Sequence, residues 1–177
     1  MALPTREKAK ELLFENVKDE YQRKHSEMVA SAMEAYAEKF GEDTELWYIT
    51  GLLHDLDYYA FPSEHPSKSV EWFKEWGYPE ELIHAVESHA FMRTNVKPKT
   101  KIAQALIACD EMSGLLYAYA LMRPEGFVNM QAKSVKKKFK DKSFAAKVDR
   151  SDIQYGMDEL GVDFNDHVEL LISVFVK

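Results

Sequence analysis

The stretch GLLHDLDYY, residues 51–59, places a histidine and an aspartate side by side at the end of a short apolar run. A second aspartate and two tyrosines follow directly. Burying polar side chains at the end of an apolar segment costs free energy unless another group binds them. The fold of this chain must therefore bring a partner to His54 and Asp55.

Helical periodicity runs along most of the chain, and almost no segment shows the alternation of a strand. Candidate caps, such as Thr5 and Thr100, and helix-ending glycines, such as Gly41 and Gly77, divide it into segments. The predicted helices cover about 5–17, 21–40, 43–55, 66–76, 79–90 and 100–121. A further helix starts at Ser151, which forms a capping box with Gln154, and a last one covers 164–176. We expect an all-α bundle of about seven to nine helices.

Only a short connection, 41–43, separates the second and third predicted helices. Helices joined by so short a loop lie antiparallel to each other. The end of the third helix then returns towards the start of the second. We therefore expect His25 to face His54, although 29 positions separate them.

Length and composition are typical of a helix-rich globular protein. The 177 residues are 46% hydrophobic and 30% charged, with only 7 glycines and 6 prolines. We predict one domain, 1–177, with a core over about 20–122 and a C-terminal helical extension over about 123–177. No apolar run approaches the roughly 20 residues of a membrane span, and no secretory signal is apparent. The single cysteine, Cys109, excludes an internal disulfide, and we predict a cytoplasmic protein.

The net charge of −7 argues against nucleic acid as a partner. Positive charge is concentrated in the segment 131–150, which holds eight Lys or Arg against two Asp. This segment is either a solvated helix face or a rim that attracts phosphate. In the second interpretation, Lys133, Lys137 and Lys140 share one helical face and contact the substrate phosphate.

Asp110 lies inside the otherwise apolar segment KIAQALIACDEMSGLL. An isolated buried carboxylate is very costly, so Asp110 must be paired, coordinated or neutralised. A metal ion shared with His25 and His54 would satisfy it, because imidazole and carboxylate are ligands of catalytic metals. The competing interpretation is a hydrogen-bonded core aspartate.

The pattern of His25, His54–Asp55 and Asp110 resembles the HD superfamily of metal-dependent phosphohydrolases. Members are all-α proteins in which these four positions hold a divalent metal. The resemblance extends over nearly the full chain, to a group of small predicted HD superfamily hydrolases. Its segments are KHSEMVA, GLLHDLDY, EHPSKSV, GYPEELIHAVESHA, CDEMSGLL and KSVKKKFKDKSFAAKV.

The resemblance also implies a second metal, bridged by Asp55 and held by His65 and His89. His84 and His89 are five residues apart and point about 140° away from each other on a helix, so only one of them can serve this ion. The position of His89 near the helix end fits the family pattern better. His84 is then a surface residue or supports a ligand, and His167 is a capping or surface histidine.

One position departs from the family pattern. Three residues beyond Asp55, family members carry an acid or a lysine, but this chain has Tyr58. The cation that steadies the phosphate must then come from Lys68 or from the segment 131–150. Asp57 is either a general base, or a support for a ligand, or a solvent-exposed residue at a helix end.

The resemblance implies hydrolysis of a phosphate ester, of a nucleotide or another small phosphorylated metabolite, by a metal-activated water. Asp55, Asp57 and Lys68 are the candidate catalytic residues. One or two divalent transition metals are expected, with iron or manganese preferred and nickel, cobalt, zinc or magnesium left open. The alternatives are a di-iron oxygenase and a non-catalytic nucleotide or ligand sensor. The oligomeric state is open, with Trp72, Trp76 and Tyr78 as a candidate dimer face.

Overall fold

The computed structural model describes residues 2–177 and contains ten α-helices and no strand in that range. They are α1 (Arg6–Asn16), α2 (Glu20–Phe40), α3 (Thr44–Leu53), α4 (Ser67–Glu75), α5 (Glu80–His89), α6 (Phe91–Thr94), α7 (Lys101–Leu121), α8 (Ala132–Lys140), α9 (Arg150–Leu160) and α10 (Phe164–Phe175). The all-α prediction is confirmed, and the ten helices include α6, which has only four residues.

Local signals set most of these boundaries. The Thr5 side chain accepts a hydrogen bond from the backbone of Lys8, and Thr100 caps α7 in the same way. Gly41 ends α2 with φ 68°, a left-handed conformation that glycine adopts without strain.

The start of α9 differs from the prediction. Asp149, and not Ser151, is the N-cap, and its carboxylate accepts from the backbone N–H of Asp152 at 3.1 Å. The Ser151 hydroxyl donates to the same carboxylate at 2.5 Å. An ionised carboxylate is the stronger acceptor at a helix N-terminus, so the helix begins one residue before Ser151.

Helices α2 and α3 are antiparallel, as predicted. Gly51 lies against the backbone of Ala30, while one turn further along α3 the ring of His54 lies 5.4 Å from that of His25. Residue numbers therefore increase along α3 in the direction in which they decrease along α2. A Cβ at Gly51 would lie 2.8 Å from Ala30 Cα, so the missing side chain sets the distance between the two helices.

Helix α7 is the centre of the fold, because α2, α5, α8, α9 and α10 all pack against it. One buried apolar cluster extends from Ala9 in α1 to Leu171 in α10. Gly156 of α9 meets Ala108 of α7 as closely as Gly51 meets Ala30, since a Cβ there would lie 2.5 Å from Ala108 N. The packing places the C-terminal ends of α3 and α5 beside α2 and the middle of α7.

His167 is fully buried, so the prediction of a capping or surface histidine is wrong. Its Nε2–H donates to Ala108 O at 2.7 Å, and its Nδ1 accepts from the Tyr36 hydroxyl at 2.5 Å. Burial lowers the pKa of His167 to about 4. The neutral ring therefore joins α10 to α7 and α2.

The surface carries scattered aromatic side chains. Trp76 is 39% exposed, whereas Trp72 and Tyr78 are half-buried against the core. Within residues 2–177, no helix combines the length and the apolar character that crossing a membrane would require.

We predict that Gly51→Ala lowers the free energy of unfolding by about 1–3 kcal/mol, because the added methyl overlaps the backbone of α2. The control is Gly114→Ala, whose Cβ would meet only Val148 Cγ2 at 3.8 Å. That variant should gain about 0.5–1 kcal/mol from helix propensity. Urea unfolding measures both, and equal stabilities would contradict the packing argument.

A second prediction concerns pH. The pKa of His167 is about 4 in the folded protein and about 6.5 when unfolded, so between these values the unfolded chain binds more protons. The contribution of His167 to stability is complete above pH 6.5 and falls by roughly 3 kcal/mol as the pH drops to 4. Unfolding free energies in chelator should show a shallower decline for His167→Gln than for wild type. Parallel curves would contradict this.

Candidate metal centre

Two groups of potential metal ligands meet between α2, α3, α5 and α7. Within each group the ligand atoms lie within 4.8 Å of one another. The first group consists of His25, His54, Asp55 and Asp110, and the second of Asp55, His65 and His89. All six residues that the sequence singles out as metal ligands are thus brought together.

Asp55 belongs to both groups through different oxygens. Its Oδ2 lies 3.3 Å from His54 Nε2 and 3.8 Å from His25 Nε2. Its Oδ1 lies 3.3 Å from His65 Nε2 and 3.4 Å from His89 Nε2. One carboxylate therefore presents one oxygen to each histidine pair, which is the arrangement of a bridging ligand.

Helix backbone orients two of the imidazoles. The Nδ1–H of His54 donates to Gly51 O at 2.7 Å, and the Nδ1–H of His89 donates to Val86 O at 2.5 Å. Each partner is the carbonyl three residues earlier, at the end of its helix. Because Nδ1 carries the proton, the Nε2 lone pair of each ring faces the cluster, as in histidines that bind metals.

Asp57 orients the third imidazole. Its Oδ1 accepts from His65 Nδ1 at 2.6 Å, and its Oδ2 accepts from the backbone N–H of Ser69, in the first turn of α4, at 2.9 Å. Asp57 is fully buried. Both oxygens are engaged away from solvent, so the geometry does not support a general base or a solvent-exposed residue at this position. Asp57 supports a ligand instead.

The residues fit a bound cation. His54 Nε2 is buried without a hydrogen bond, 3.3 Å from Asp55 Oδ2 and 3.3 Å from Asp110 Oδ1. The Nε2 atoms of His65 and His89 lie only 3.1 Å apart. Buried nitrogens left unpaired, or facing each other, are costly in protein interiors, and a divalent ion among them would satisfy both arrangements.

The charges within the cluster also favour a bound cation. Burial disfavours charge on all these groups, but the carboxylates of Asp55 and Asp110 outweigh it and raise the pKa of His54 well above its ordinary value. Burial is likewise outweighed at both carboxyls, where His54 holds the pKa of Asp55 and of Asp110 far below the usual range. The cluster therefore attracts positive charge, whether as a proton on His54 or as a metal ion.

A cleft of about 590 Å³ opens over the cluster. This volume is in the range of small-molecule sites. Its walls carry the acidic side chains Glu111, Asp149 and Asp152 besides the ligands, and its basic side chains within residues 2–177 are Arg93 and Lys147. Burial, helped by the neighbouring Asp110, raises the pKa of Glu111 to about 8.

The structure does not bring Lys68 to this cleft. Its ammonium lies 3.0 Å from Glu71 and 3.9 Å from Glu64 at the surface, and it is not among the lining residues. The helical spacing that places Lys68 at the start of α4 also turns it towards acidic neighbours on its own segment. The expectation of a catalytic Lys68 therefore has no support in the geometry.

The predicted phosphate contacts Lys133, Lys137 and Lys140 are exposed on α8 and do not line the cleft either. Lys133 borders a separate groove between α8 and α10. Lys147 does reach the cleft from the same basic segment, because the loop between α8 and α9 returns to α7.

Sequence reasoning missed Arg93, which lies beyond the end of α5, in the short helix α6, and carried no signal of its own. His84 lies away from the cluster, and its Nε2 accepts from the backbone N–H of Lys99 at 3.1 Å. This agrees with the preference for His89 as the ligand.

Comparison with known proteins identifies the family. A model of the HD domain matches residues 23–115, just over half of the chain, and this range includes all six residues of the cluster. No curated protein and no solved structure shows a significant match. The HD domain is an all-α fold whose members are generally metal-dependent hydrolases. The chain belongs to the HD domain family.

Proposed function

We propose that this protein is a metal-dependent phosphohydrolase that cleaves a phosphate ester of a small metabolite, either a nucleotide or another phosphorylated compound. The observation that carries the proposal is the position of Asp55, with one oxygen towards each of two histidine pairs. Two ions bridged by a carboxylate are the usual centre for in-line displacement at phosphorus.

The ligand roles are proposed from the two groups. His25, His54 and Asp110 would hold one ion, His65 and His89 would hold the other, and Asp55 would contribute one oxygen to each. Bound divalent ions supply a water of lowered pKa and neutralise charge on the phosphoryl oxygens. Iron or manganese suits this mixture of imidazole and carboxylate best, with nickel, cobalt, zinc and magnesium as further candidates.

The side chains around the ligands fix their positions. Asp57 connects His65 to the start of α4, which leaves His65 little freedom to turn. Tyr58 lines the cleft and places its ring at 85° to that of His65, with centroids 5.2 Å apart. Tyr58 carries no positive charge, so other residues must neutralise the charge of the substrate phosphate.

We assign that role to Arg93 and Lys147. One Arg93 nitrogen, Nη1, donates to Pro62 O at 2.8 Å and to His65 O at 3.3 Å, which fixes the guanidinium beside the second histidine pair. Its remaining N–H groups are available for phosphate oxygens. Lys147 lines the same cleft from the loop before α9.

The charge of the cleft favours two ions over one. The acidic side chains of the cleft outnumber Arg93 and Lys147, so the protein alone repels a phosphate dianion. Two divalent ions supply four positive charges and reverse this balance.

The location of the reaction in the cytoplasm remains a prediction from sequence.

The second candidate function is a di-iron oxygenase. The second ligand group consists of two histidines and one carboxylate, the set that binds non-haem iron in oxygenases. Oxygen uptake coupled to loss of an organic substrate, and absent under nitrogen, would establish this chemistry. Phosphate release at equal rates in air and under nitrogen would exclude it.

We predict two manganese ions per chain in the reconstituted wild type, one in His89→Ala and none in Asp55→Ala, since only Asp55 contributes to both groups. The matched control is His84→Ala, on the same helix as His89 but outside the cluster, which should keep both ions. Elemental analysis gives the ions per chain. Release of inorganic phosphate from p-nitrophenyl phosphate and from a panel of phosphorylated metabolites gives the activity.

Asp55→Ala should lose hydrolysis together with its metal, and His84→Ala should stay within twofold of wild type. Two ions and full activity in Asp55→Ala would refute the bridging role. Wild-type protein that holds two ions but releases phosphate from no compound in the panel would refute the phosphohydrolase proposal and leave the oxygenase.

The role of Lys147 is tested by inhibition with inorganic phosphate. Lys147→Gln should raise the inhibition constant about tenfold, the loss of one charge-assisted contact of about 1.4 kcal/mol. Lys142→Gln, an exposed lysine in the same loop but away from the cleft, should change it less than twofold. Equal effects in the two variants would show that only the general charge of the segment matters.

A further inference from the structure

The guanidinium of Arg150, the first residue of α9, is surrounded by backbone carbonyl oxygens from the end of α8 and the loop that follows. It donates hydrogen bonds to six of them: Nε to Phe139 O at 3.2 Å, Nη1 to Ala145 O at 2.7 Å and Val148 O at 3.2 Å, and Nη2 to Lys138 O at 3.4 Å, Asp141 O at 3.1 Å and Phe144 O. The segment 138–148 thus folds around one side chain, and we call it the Arg150 loop.

The Arg150 loop requires an arginine at its centre. Backbone carbonyl oxygens only accept hydrogen bonds, so several of them converge on one point only if a donor lies between them. Arginine spreads five N–H donors over a rigid plane, whereas the ammonium of lysine has three donors on one atom. A lysine at position 150 would therefore leave carbonyl oxygens of the loop without their partner.

One residue of the Arg150 loop has an unfavourable backbone conformation. Ala145 has φ 45°, in the left-handed region that residues with a Cβ rarely adopt. Its carbonyl oxygen accepts from Arg150 Nη1 at 2.7 Å and from the backbone N–H of Val148 at 2.9 Å. Backbone strain of this kind persists only where the surrounding contacts impose it. The contacts of Arg150 therefore select one conformation of the loop.

The C-terminal end of the Arg150 loop lines the metal cleft, through Lys147 and Val148. Directly after it, the backbone N–H of Asp149 donates to Glu111 Oε2 of α7 at 3.1 Å. Along the chain, Lys147 is therefore enclosed between the carbonyls that Arg150 binds and an attachment to α7. Arg150 itself does not line the cleft, and all three of its guanidinium nitrogens bind the loop.

We propose that Arg150 is a positioning residue for the substrate phosphate: by binding the carbonyls of the Arg150 loop, it places the ammonium of Lys147 in the metal cleft. This rests on the proposed function, which assigns Lys147 to the phosphate. A lysine loses much conformational entropy when it is fixed on an anion, and less of this loss remains if its backbone is already ordered. Arg150 thus acts on the phosphate only through Lys147.

The test measures binding of inorganic phosphate to manganese-loaded protein by calorimetry, which does not depend on turnover. Arg150→Lys should raise the dissociation constant at least fivefold, close to the effect of Lys147→Gln. In protein that already carries Lys147→Gln, Arg150→Lys should change it less than twofold, because the side chain that it positions is absent. The control Arg123→Lys, at an arginine that binds Gly126 O outside the cleft, should keep phosphate binding within twofold of wild type.

Two variants of Ala145 test the loop conformation with Arg150 and Lys147 intact. Proline fixes φ near about −65°, so Ala145→Pro should weaken phosphate binding at least fivefold. Glycine adopts a positive φ without strain, so Ala145→Gly should bind phosphate within twofold of wild type. Trypsin should cleave after Lys147 at least tenfold faster in Ala145→Pro and Arg150→Lys than in Ala145→Gly. Elemental analysis should find the wild-type manganese content in all variants, because none of them changes a cluster residue.

The outcomes separate the positioning role from the proposed reaction, since hydrolysis of the phosphorylated metabolites is measured in parallel. The positioning role alone is overturned if Arg150→Lys has no effect, or an equal effect with and without Lys147. Equal phosphate binding in the two Ala145 variants also overturns it, and this comparison decides if Arg150→Lys does not fold. An effect that depends on Lys147, without turnover of any compound, supports the positioning role and overturns the phosphohydrolase. Wild type that neither binds phosphate nor hydrolyses any of these compounds overturns both.

Discussion

The negative charge of Asp55 and Asp110 among four histidines is the constraint on which the rest of the structure depends. These carboxylates lie side by side at the base of the cleft and are only 22% and 17% exposed, so their charges need compensation. Three of the four imidazoles that compensate them are oriented by a neighbour, a helix carbonyl for His54 and His89 and a carboxylate for His65. These hydrogen bonds to the Nδ1 atoms direct the Nε2 atoms towards the cluster.

Two glycines allow helices of the bundle to pack closely against each other. Gly51 brings α3 against α2, and Gly156 brings α9 against α7. The contact at Gly51 sets the distance between α2, which carries His25, and the end of α3, where His54 and Asp55 lie. The fold and the candidate centre therefore both depend on Gly51, whereas α9, which Gly156 positions, carries none of the six cluster residues.

The sequence was sufficient for most of the helices, though not for α6, and for bringing the six cluster residues together, because helical spacing and capping are local and the ligand pattern is shared by a family. It was insufficient where side-chain direction depends on tertiary packing. His167 is polar and near a helix start, which suits a surface residue, but packing of α10 on α7 buries it. Likewise, the sequence favoured Lys133, Lys137 and Lys140 as phosphate contacts because they share one helical face, whereas the path of the loop before α9 brings Lys147 to the cleft instead.

The contact between His25 and Asp110, at 2.9 Å, joins residues 85 positions apart. A cation held between them closes a loop of nearly half the chain, much as a disulfide would in a secreted protein. With Cys109 as its one cysteine, this chain has no covalent cross-link of its own. By loop-closure entropy a link over such a length restricts the unfolded chain substantially, and binding energy at the ion becomes folding energy. Metal supply would then control the amount of folded protein as well as its activity.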